Sequence, residues 1–538
     1  MKVKIIAFFY CLIFCFVASA QRNVILIIAD DIGSDYFGFS ENHLDTIPTP
    51  NIRKLLTRGV RFRNAWSNPL CSPTRAGILT GRYSFRTGVG NAIGGTTSAV
   101  LDTSEITIPR LLNRFKTNGI AKANIGKWHL HLSNPNSNYA FPNNMGYDHF
   151  EGGFDGNLNS FTNWTKITNG VAKNSTNYAT TENVDNAITW IKGNQNKPFF
   201  VWLAFNAPHT PYHLPPLNLH SFKTLSGTSS DITANPKDYF KASMEAVDTE
   251  LGRLFESLKS IQQWDNTDII FIGDNGNEAG VSQKSGGGGA KGSIYQEGVS
   301  VPLIIAGPSV INPNRVSDAL VNTQDLFATI LELFGYNNWQ SQIPANKPVD
   351  SKSIMPIIKN QSTETRSWAF TEVFKQQTVA GDGKTIRNKN YKLLLFDNGT
   401  SKFFNLAKDP TEKNDLLRAA LSTVDNTNYV ELCKEISNLI GKTYACTNTT
   451  IPPTPTVLSV ENEFAHPKNI VQYPNPFNST IKINGAETNA DFELTNVFGQ
   501  KIFFGKSIEN QDFSRIPRGM YFLKIIDKST KIYKLLKE

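Results

Sequence analysis

The sequence predicts an α/β fold: a large mixed, mostly parallel sheet flanked by helices. Three observations predict it. Val24 to Ala29, Phe199 to Phe205, Asp268 to Ile272 and Val301 to Ala306 are almost wholly apolar and rich in β-branched and aromatic residues, as suits strands buried on both faces. Segments with helical spacing lie between them, at Thr49 to Arg58, Ile108 to Asn118, Glu182 to Lys192 and Phe240 to Ser260. Alternation of this kind argues for α/β layering. Polar residues also bunch just past three of the apolar runs, at Asp30-Asp31, Asn206 to His209 and Asp274-Asn275. Open α/β sheets place their sites there, at the carboxyl ends of the strands.

Taken in order, the 538 residues begin with a segment that is not core. Lys2 and Lys4 precede an apolar run from Ile5 to Val17, and Ala18-Ser19-Ala20 is a small-residue cleavage pattern. Residues 1–20 therefore read as a secretory signal peptide cut before Gln21, with no Cys just after the cut to carry a lipid. No later segment approaches the roughly 18 consecutive apolar residues of a membrane span, so no transmembrane segment is expected. The α/β pattern occupies residues 21–346. Shorter strands follow (Trp368 to Phe374, Tyr391 to Phe396, Lys402 to Asn405) with a late helix, Asn428 to Ile440, so residues 347–446 read as a smaller α+β subdomain. Residues 447–465 form a linker whose start, Thr447 to Val457, is rich in Thr and Pro. Residues 466–538 read as a small all-β tail module.

Cysteine use and charge narrow the function. Cys11 and Cys15 leave with the signal, so the mature chain keeps Cys71, Cys433 and Cys446. Cys433 and Cys446 are close enough in sequence to pair in an oxidising compartment, which leaves Cys71 as the odd thiol. The net charge of +8 places +2 in the signal and +4 after His466, where eleven Lys/Arg face seven Asp/Glu. The remainder, about +2, gives no ground for a nucleic-acid partner.

Cys71-Ser72-Pro73-Thr74-Arg75 leads into Ala76 to Arg82, which contains Leu79-Thr80-Gly81-Arg82. Gly126-Lys127-Trp128-His129-Leu130, Ala207-Pro208-His209-Thr210-Pro211 and Gly289-Ala290-Lys291-Gly292-Ser293 follow, with Leu406 to Leu416 near the end of the subdomain. The Gly286 to Gly289 run lacks the Gly-Lys-Ser/Thr ending of a phosphate loop, because Ala290 precedes Lys291. Asp30, Asp31, Asp274 and Asn275 offer oxygen donors only, which suit a hard cation, Ca²⁺ or Mg²⁺. Lys127 and His129, two apart on an extended segment, would share one face and reach one ligand.

From Gln21 to Cys446, these motifs in this order resemble the type I sulfatases of the alkaline-phosphatase-like superfamily. The resemblance implies that fold and a sulfuric ester hydrolase. It also implies that a maturation enzyme converts Cys71 to formylglycine (3-oxoalanine), whose hydrate attacks the sulfur of a sulfate ester. Asp30, Asp31, Asp274 and Asn275 match the ligands of one Ca²⁺, with the Cys71-derived side chain completing the set. Arg75 would hold the hydroxyls of the hydrate, for which a forked, permanently charged guanidinium is suited. Lys127 would bridge nucleophile and sulfate, His129 would take the proton that lets the aldehyde reform, His209 would serve the sulfate or the leaving alcohol, and Lys291 would hold sulfate. The sequence departs from the family pattern at His131, where a Gly is usual, at Gln296, Glu297 and Ser300 after Lys291, and at Asp415. His131 would be a pocket wall or an ordinary loop histidine, and His213 is expected at the surface. A formylglycine-dependent phosphodiesterase or phosphonate hydrolase, or an inactive binder of sulfated glycans, are the alternatives.

In the tail, Tyr473 to Asn478, Thr495 to Gln500 and Pro517 to Lys524 resemble the C-terminal sorting domain of the Bacteroidetes type IX secretion system. That resemblance implies export through the periplasm to the surface or medium, with the secretion machinery as partner. A sulfated carbohydrate, algal polysaccharides ahead of glycosaminoglycans, is the expected substrate.

Overall fold

Val24 to Ala29 lie at the middle of the main sheet, and their side chains alternate between two cores. Val24, Leu26 and Ile28 enter one hydrophobic cluster, while Ile25, Ile27 and Ala29 enter the other. Successive side chains of a strand point to opposite faces, so a run apolar at every position requires cover on both. The structure, a computed structural model, describes residues 22–38, 45–94, 99–115, 119–283, 289–375, 381–444, 476–482, 490–496, 500–526 and 530–538. The signal peptide, the linker and Cys446 lie outside these. Cys433 is disulfide-bonded, and Cys71 is free and buried.

The main sheet has ten strands: β1 (Asn23–Ala29), β2 (Gly59–Trp66), β3 (Ala121–Gly126), β4 (His149–Gly152), β5 (Trp164–Thr168), β6 (Val171–Ser175), β7 (Phe199–Ala204), β8 (Thr267–Gly273), β9 (Leu303–Ala306) and β10 (Arg315–Asn322). Their order is β10-β2-β9-β8-β1-β7-β3-β4-β5-β6. The central block β8-β1-β7-β3-β4 is parallel, so its carboxyl ends share one edge. The run Val301 to Ala306 differs from the parallel expectation: β9 is antiparallel to both β8 and β2. It is buried on both faces all the same, and apolarity reports burial, not direction.

Helix Pro236–Ser260 presents Phe240, Met244, Val247, Leu251, Leu254 and Leu258 to one core at three- and four-residue spacing. Helix Ala179–Asn194 joins it there through Val184, Ala187 and Ile191. Helices Cys71–Thr80 and Asp325–Leu333 cover the opposite face. The later part of this unit is a four-stranded antiparallel sheet, β11 (Ala369–Val373), β12 (Gly383–Arg387), β13 (Tyr391–Phe396) and β14 (Ser401–Asn405), packed on helix Thr423–Ile440. That helix starts at Ser422, whose side chain accepts from Asp425 N, and ends at Gly441.

The chain separates into two compact units, Met1–Pro452 and Pro453–Glu538. The second holds β15 (Asp491–Asn496), β16 (Lys501–Gly505), β17 (Gly519–Ile526) and β18 (Thr530–Lys537), an antiparallel sheet in the order β16-β15-β17-β18 with its own core. No helix among the described residues is long and apolar enough to cross a membrane.

Candidate active site

Four strand ends deliver the polar residues. Asp30 and Asp31 follow β1, Lys127 and His129 follow β3, His209 follows β7, and Asp274 and Asn275 follow β8. Gly126 lets the chain leave β3 against its neighbour, since a Cβ there would stand 1.9 Å from the carbonyl oxygen of Ala204. The next residue then donates from Lys127 N to Ala204 O at 2.7 Å. The Lys127–His129 segment is not the extended one expected from spacing. His129 has φ 58°, a left-handed conformation costly for a side chain of this size. Its backbone is held by Trp128 N to Gly153 O (2.9 Å) and His129 N to Phe154 O (3.0 Å).

Cys71 is the first residue of helix Cys71–Thr80, a fully buried helix with Leu70 as its extended N-cap. The positive end of the helix faces the thiol. Ser72 donates to the carbonyl of His129 (2.8 Å) and accepts from Ile93 N (3.0 Å), so it ties helix, β3 loop and pocket wall together. Cys71 Sγ lies 3.2 Å from His129 Nδ1. His129 Nε2 is 2.8 Å from Ile93 O, a group that can only accept. The proton of a neutral ring therefore sits on Nε2, and Nδ1 is the acceptor facing Sγ. Burial, then the charge of Lys127, pushes the His129 pKa well below its usual value, which keeps the ring neutral. Burial likewise raises the Cys71 thiol.

The carboxylates are each matched by a cation. Lys127 Nζ meets Asp30 Oδ2 at 2.5 Å, and Lys291 Nζ meets Asp31 Oδ2 at 2.7 Å. Arg75 donates from Nε (3.1 Å) and Nη2 (2.8 Å) to Asp274 Oδ2, and from Nη1 to the carbonyl of Lys127 (3.1 Å). Nε, Nη1 and Nη2 of Arg75 are thus all directed into the protein. Lys291 Nζ also lies 3.0 Å from His209 Nε2 and 3.0 Å from Glu278 Oε1. Its burial would lower its pKa, but the surrounding charges, Asp31 first, raise it and keep it charged. Burial, then Asp30, raises the Asp274 carboxyl.

A metal fits this donor set. Asp30 Oδ1 and Asn275 Oδ1 are buried with no hydrogen-bond partner, an expensive state unless a cation satisfies them. Asp31 N donates to Asp274 Oδ1 and Asn275 Nδ2 donates to Asp31 Oδ1, which fixes the carboxylates around that point. Ligand atoms of Asp30, Cys71 and Asp274 lie within 4.8 Å of one another, and so do those of Asp30, Asp31 and His209. His209, assigned from the sequence to the sulfate or the leaving alcohol, thus also lies in a group that could hold a metal.

Above this floor opens a pocket of about 780 Å³ lined by Cys71, His129, His209 and Lys291 below and by His131, Asp155, Asn157, Asn159 and Glu278 further out. His131 is half-buried, its ring against Phe141. His213 is half-buried, not free at the surface as expected. It stacks on Phe161 (3.9 Å) and faces Tyr178 Oη (3.1 Å), and burial lowers its pKa to about 4. Sequence reading missed Glu278, Asp155, Asn157 and Asn159. Glu278 sits four residues past Asp274 in the same loop, and that position was the available signal. The 155–159 loop carries none.

With this geometry in place, comparison with known proteins defines the class. The family described as Sulfatase matches residues 22–336, and the chain belongs to it, a family of sulfuric ester hydrolases with the alkaline-phosphatase-like fold. Residues 290–441 match "N-sulphoglucosamine sulphohydrolase, C-terminal", and residues 471–538 match "Secretion system C-terminal sorting domain", which indicates export. Among individual relatives, arylsulfatase J of Mus musculus is 26% identical over 60% of this chain, which spans 56% of that protein's length. N-acetylgalactosamine-6-sulfatase of Sus scrofa is 26% identical over 76% of this chain and 84% of its own. The crystal structure of Ps i-CgsB in complex with k-i-k-neocarrahexaose superposes with a TM-score of 0.64 at 26% identity, covering 79% of this chain and 94% of that one.

Proposed function

We propose that the protein is an exported sulfatase that hydrolyses sulfate esters on carbohydrates, with Cys71 as the precursor of its nucleophile. The observation that carries this reading is the seating of Cys71. It is a free, buried thiol at a helix start, 3.2 Å from an imidazole acceptor, on the floor of a polar pocket and ringed by three carboxylate–cation pairs. The match to carbohydrate sulfatases, and the neocarrahexaose bound to a structural relative, support a sulfated sugar as substrate. The proposed domains are 21–346 for the catalytic part, 347–446 for its subdomain and 466–538 for type IX sorting.

Converted to formylglycine and hydrated, the Cys71 side chain would supply a geminal diol as nucleophile. A hard cation, with Ca²⁺ favoured by the family, would be held by Asp30, Asp31, Asp274 and Asn275 and would offset charge on sulfate oxygens. The remaining work belongs to this chain's own side chains. Lys127 and Lys291 bring positive charge to the site, and charges held on buried side chains act more strongly than solvated ones. Arg75 holds Asp274 and the Lys127 carbonyl in place. His129 Nδ1 faces the position of the nucleophile and is the base that resets it. His209 Nδ1 donates to Thr210 O (2.7 Å), so Nε2 of the neutral ring accepts from Lys291 Nζ, and the ring would serve the departing alcohol as an acid in its imidazolium form.

The test is mass and activity together. The peptide containing Cys71 from active enzyme should be lighter by about 18 Da than the thiol form, the difference in atomic composition between cysteine and aldehyde. Cys71→Ala should abolish hydrolysis of 4-nitrophenyl sulfate. Full activity in a preparation carrying only the thiol would overturn the assignment.

A further inference from the structure

We propose that the outer wall of the active-site pocket selects neutral sugars over sugars bearing a second anionic group, with Asp155 as the specificity-determining residue. This deepens the sulfatase reading and rests on it. The substrate class is then a singly sulfated neutral sugar unit, not a uronate and not a disulfated unit.

The loop that carries Asp155 is locked to the reaction centre. Gly153 and Phe154 accept backbone hydrogen bonds from Trp128 and His129. Two residues on, Gly156 is pressed against the His129 ring so closely that a Cβ would stand 2.5 Å from Cε1 and Nε2. Asp155 and Asn157 flank that contact, line the pocket and are exposed. A sugar seated in this pocket meets them at its wall.

The charge of this wall is one-sided. Among the described residues, Lys291 is the only Lys or Arg that lines the pocket, and it is already shared by Asp31, His209 and Glu278. Facing outward are two carboxylates, Asp155 and Glu278, with the amides of Asn134, Asn157 and Asn159. Asp155 has no ion pair or hydrogen bond among the described residues. Carboxylates only accept, and amides both accept and donate, so this surface suits sugar hydroxyls. A second sulfate or a uronate placed against it would meet an unneutralised like charge. At an effective dielectric constant between protein and water, that costs on the order of tenfold in kcat/KM.

The experiment uses aldehyde-bearing full chain and three sets of probes: 4-nitrophenyl sulfate, singly sulfated neutral hexosides with the sulfate at each ring position, and their disulfated or uronate counterparts. Wild type should favour the best neutral monosulfate about tenfold or more over its doubly anionic counterpart, and rising salt should narrow the gap. Asp155→Asn should narrow it severalfold at low salt, read as the ratio of kcat/KM between the two classes in the same enzyme preparation, so that any general effect on turnover cancels. Equal rates on both classes, or a preference that Asp155→Asn does not move, would overturn the proposal and leave the sulfatase reading intact. No turnover of any sulfate ester by aldehyde-bearing enzyme would overturn the sulfatase reading, and this proposal with it.

Discussion

His129 depends on a residue with no side chain. Gly156 leaves room for the imidazole, and Ile93 O fixes its tautomer. Gly156→Ala should therefore push the ring away from Cys71 while the fold survives. A displacement near 1 Å at a reacting group costs on the order of 100-fold in rate. Steady-state kinetics on 4-nitrophenyl sulfate, with a thermal melt as folding control, checks it. A variant of unchanged rate would show that His129 tolerates displacement. The orphaned Asp30 Oδ1 makes a second expectation: Asp30→Asn should lower both bound metal, read by elemental analysis, and rate. Cys71, Lys127, His129, His209 and Lys291 were legible in the sequence because each sits in a short motif; Cys71, His129, His209 and Lys291 line one pocket, and Lys127 is buried beneath it against Asp30. Of the wall, His131 was legible as a candidate, and the 155–159 stretch was not. Asp155, Asn157 and Asn159 matter through where the 153–159 loop runs, and Gly156 through an absence. Neither leaves a pattern in residue type.

Strand β11 shows how an element can hold a titratable group against its preference. Glu372 is buried in it, accepting from Phe85 N through one oxygen while the other has no partner. Burial, only partly offset by Lys384, raises its pKa from an ordinary carboxyl value to about 7. In the unfolded chain the group ionises near pH 4.5, the ordinary value for a glutamate. Between that pH and about 7 the folded state keeps a proton that the unfolded state has lost, so stability falls as pH rises through this window. Glu372→Gln should remove that decline, so that the variant gains thermal midpoint over wild type at pH 8 and not at pH 4. Melts across this range decide it, and parallel curves for the two proteins would refute it. Apolar runs announced four of the ten main-sheet strands, β1, β7, β8 and β9, and helical spacing announced helix Pro236–Ser260. They did not announce β2, β3, β4, β5, β6 and β10, which are not continuous apolar runs of that kind, nor β12, nor the direction of β9. Nor did they show that Cys71 opens a helix, because Cys-Ser-Pro-Thr reads as a turn while Pro in a helix's first turn is well tolerated.

At the scale of the whole molecule, catalysis and export are assigned to different parts of the chain. The chain divides at Pro452/Pro453, and each unit has its own hydrophobic core. Every residue proposed for the reaction, from Asp30 to Lys291, lies in the first unit, as does the pocket wall. Units with separate cores joined by a Thr- and Pro-rich stretch are expected to fold independently. A chain truncated after Thr450 should thus keep its thermal midpoint and its rate on 4-nitrophenyl sulfate. In the native host it should accumulate in the periplasm, where fractionation and an activity assay would find it. Retained activity on the small ester with lost activity on polymer would instead make the last unit a glycan-binding module. That result would overturn the sorting role while leaving the catalytic one untouched. Loss of the fold on truncation would show that the first unit leans on the second, against the independence that two separate cores imply.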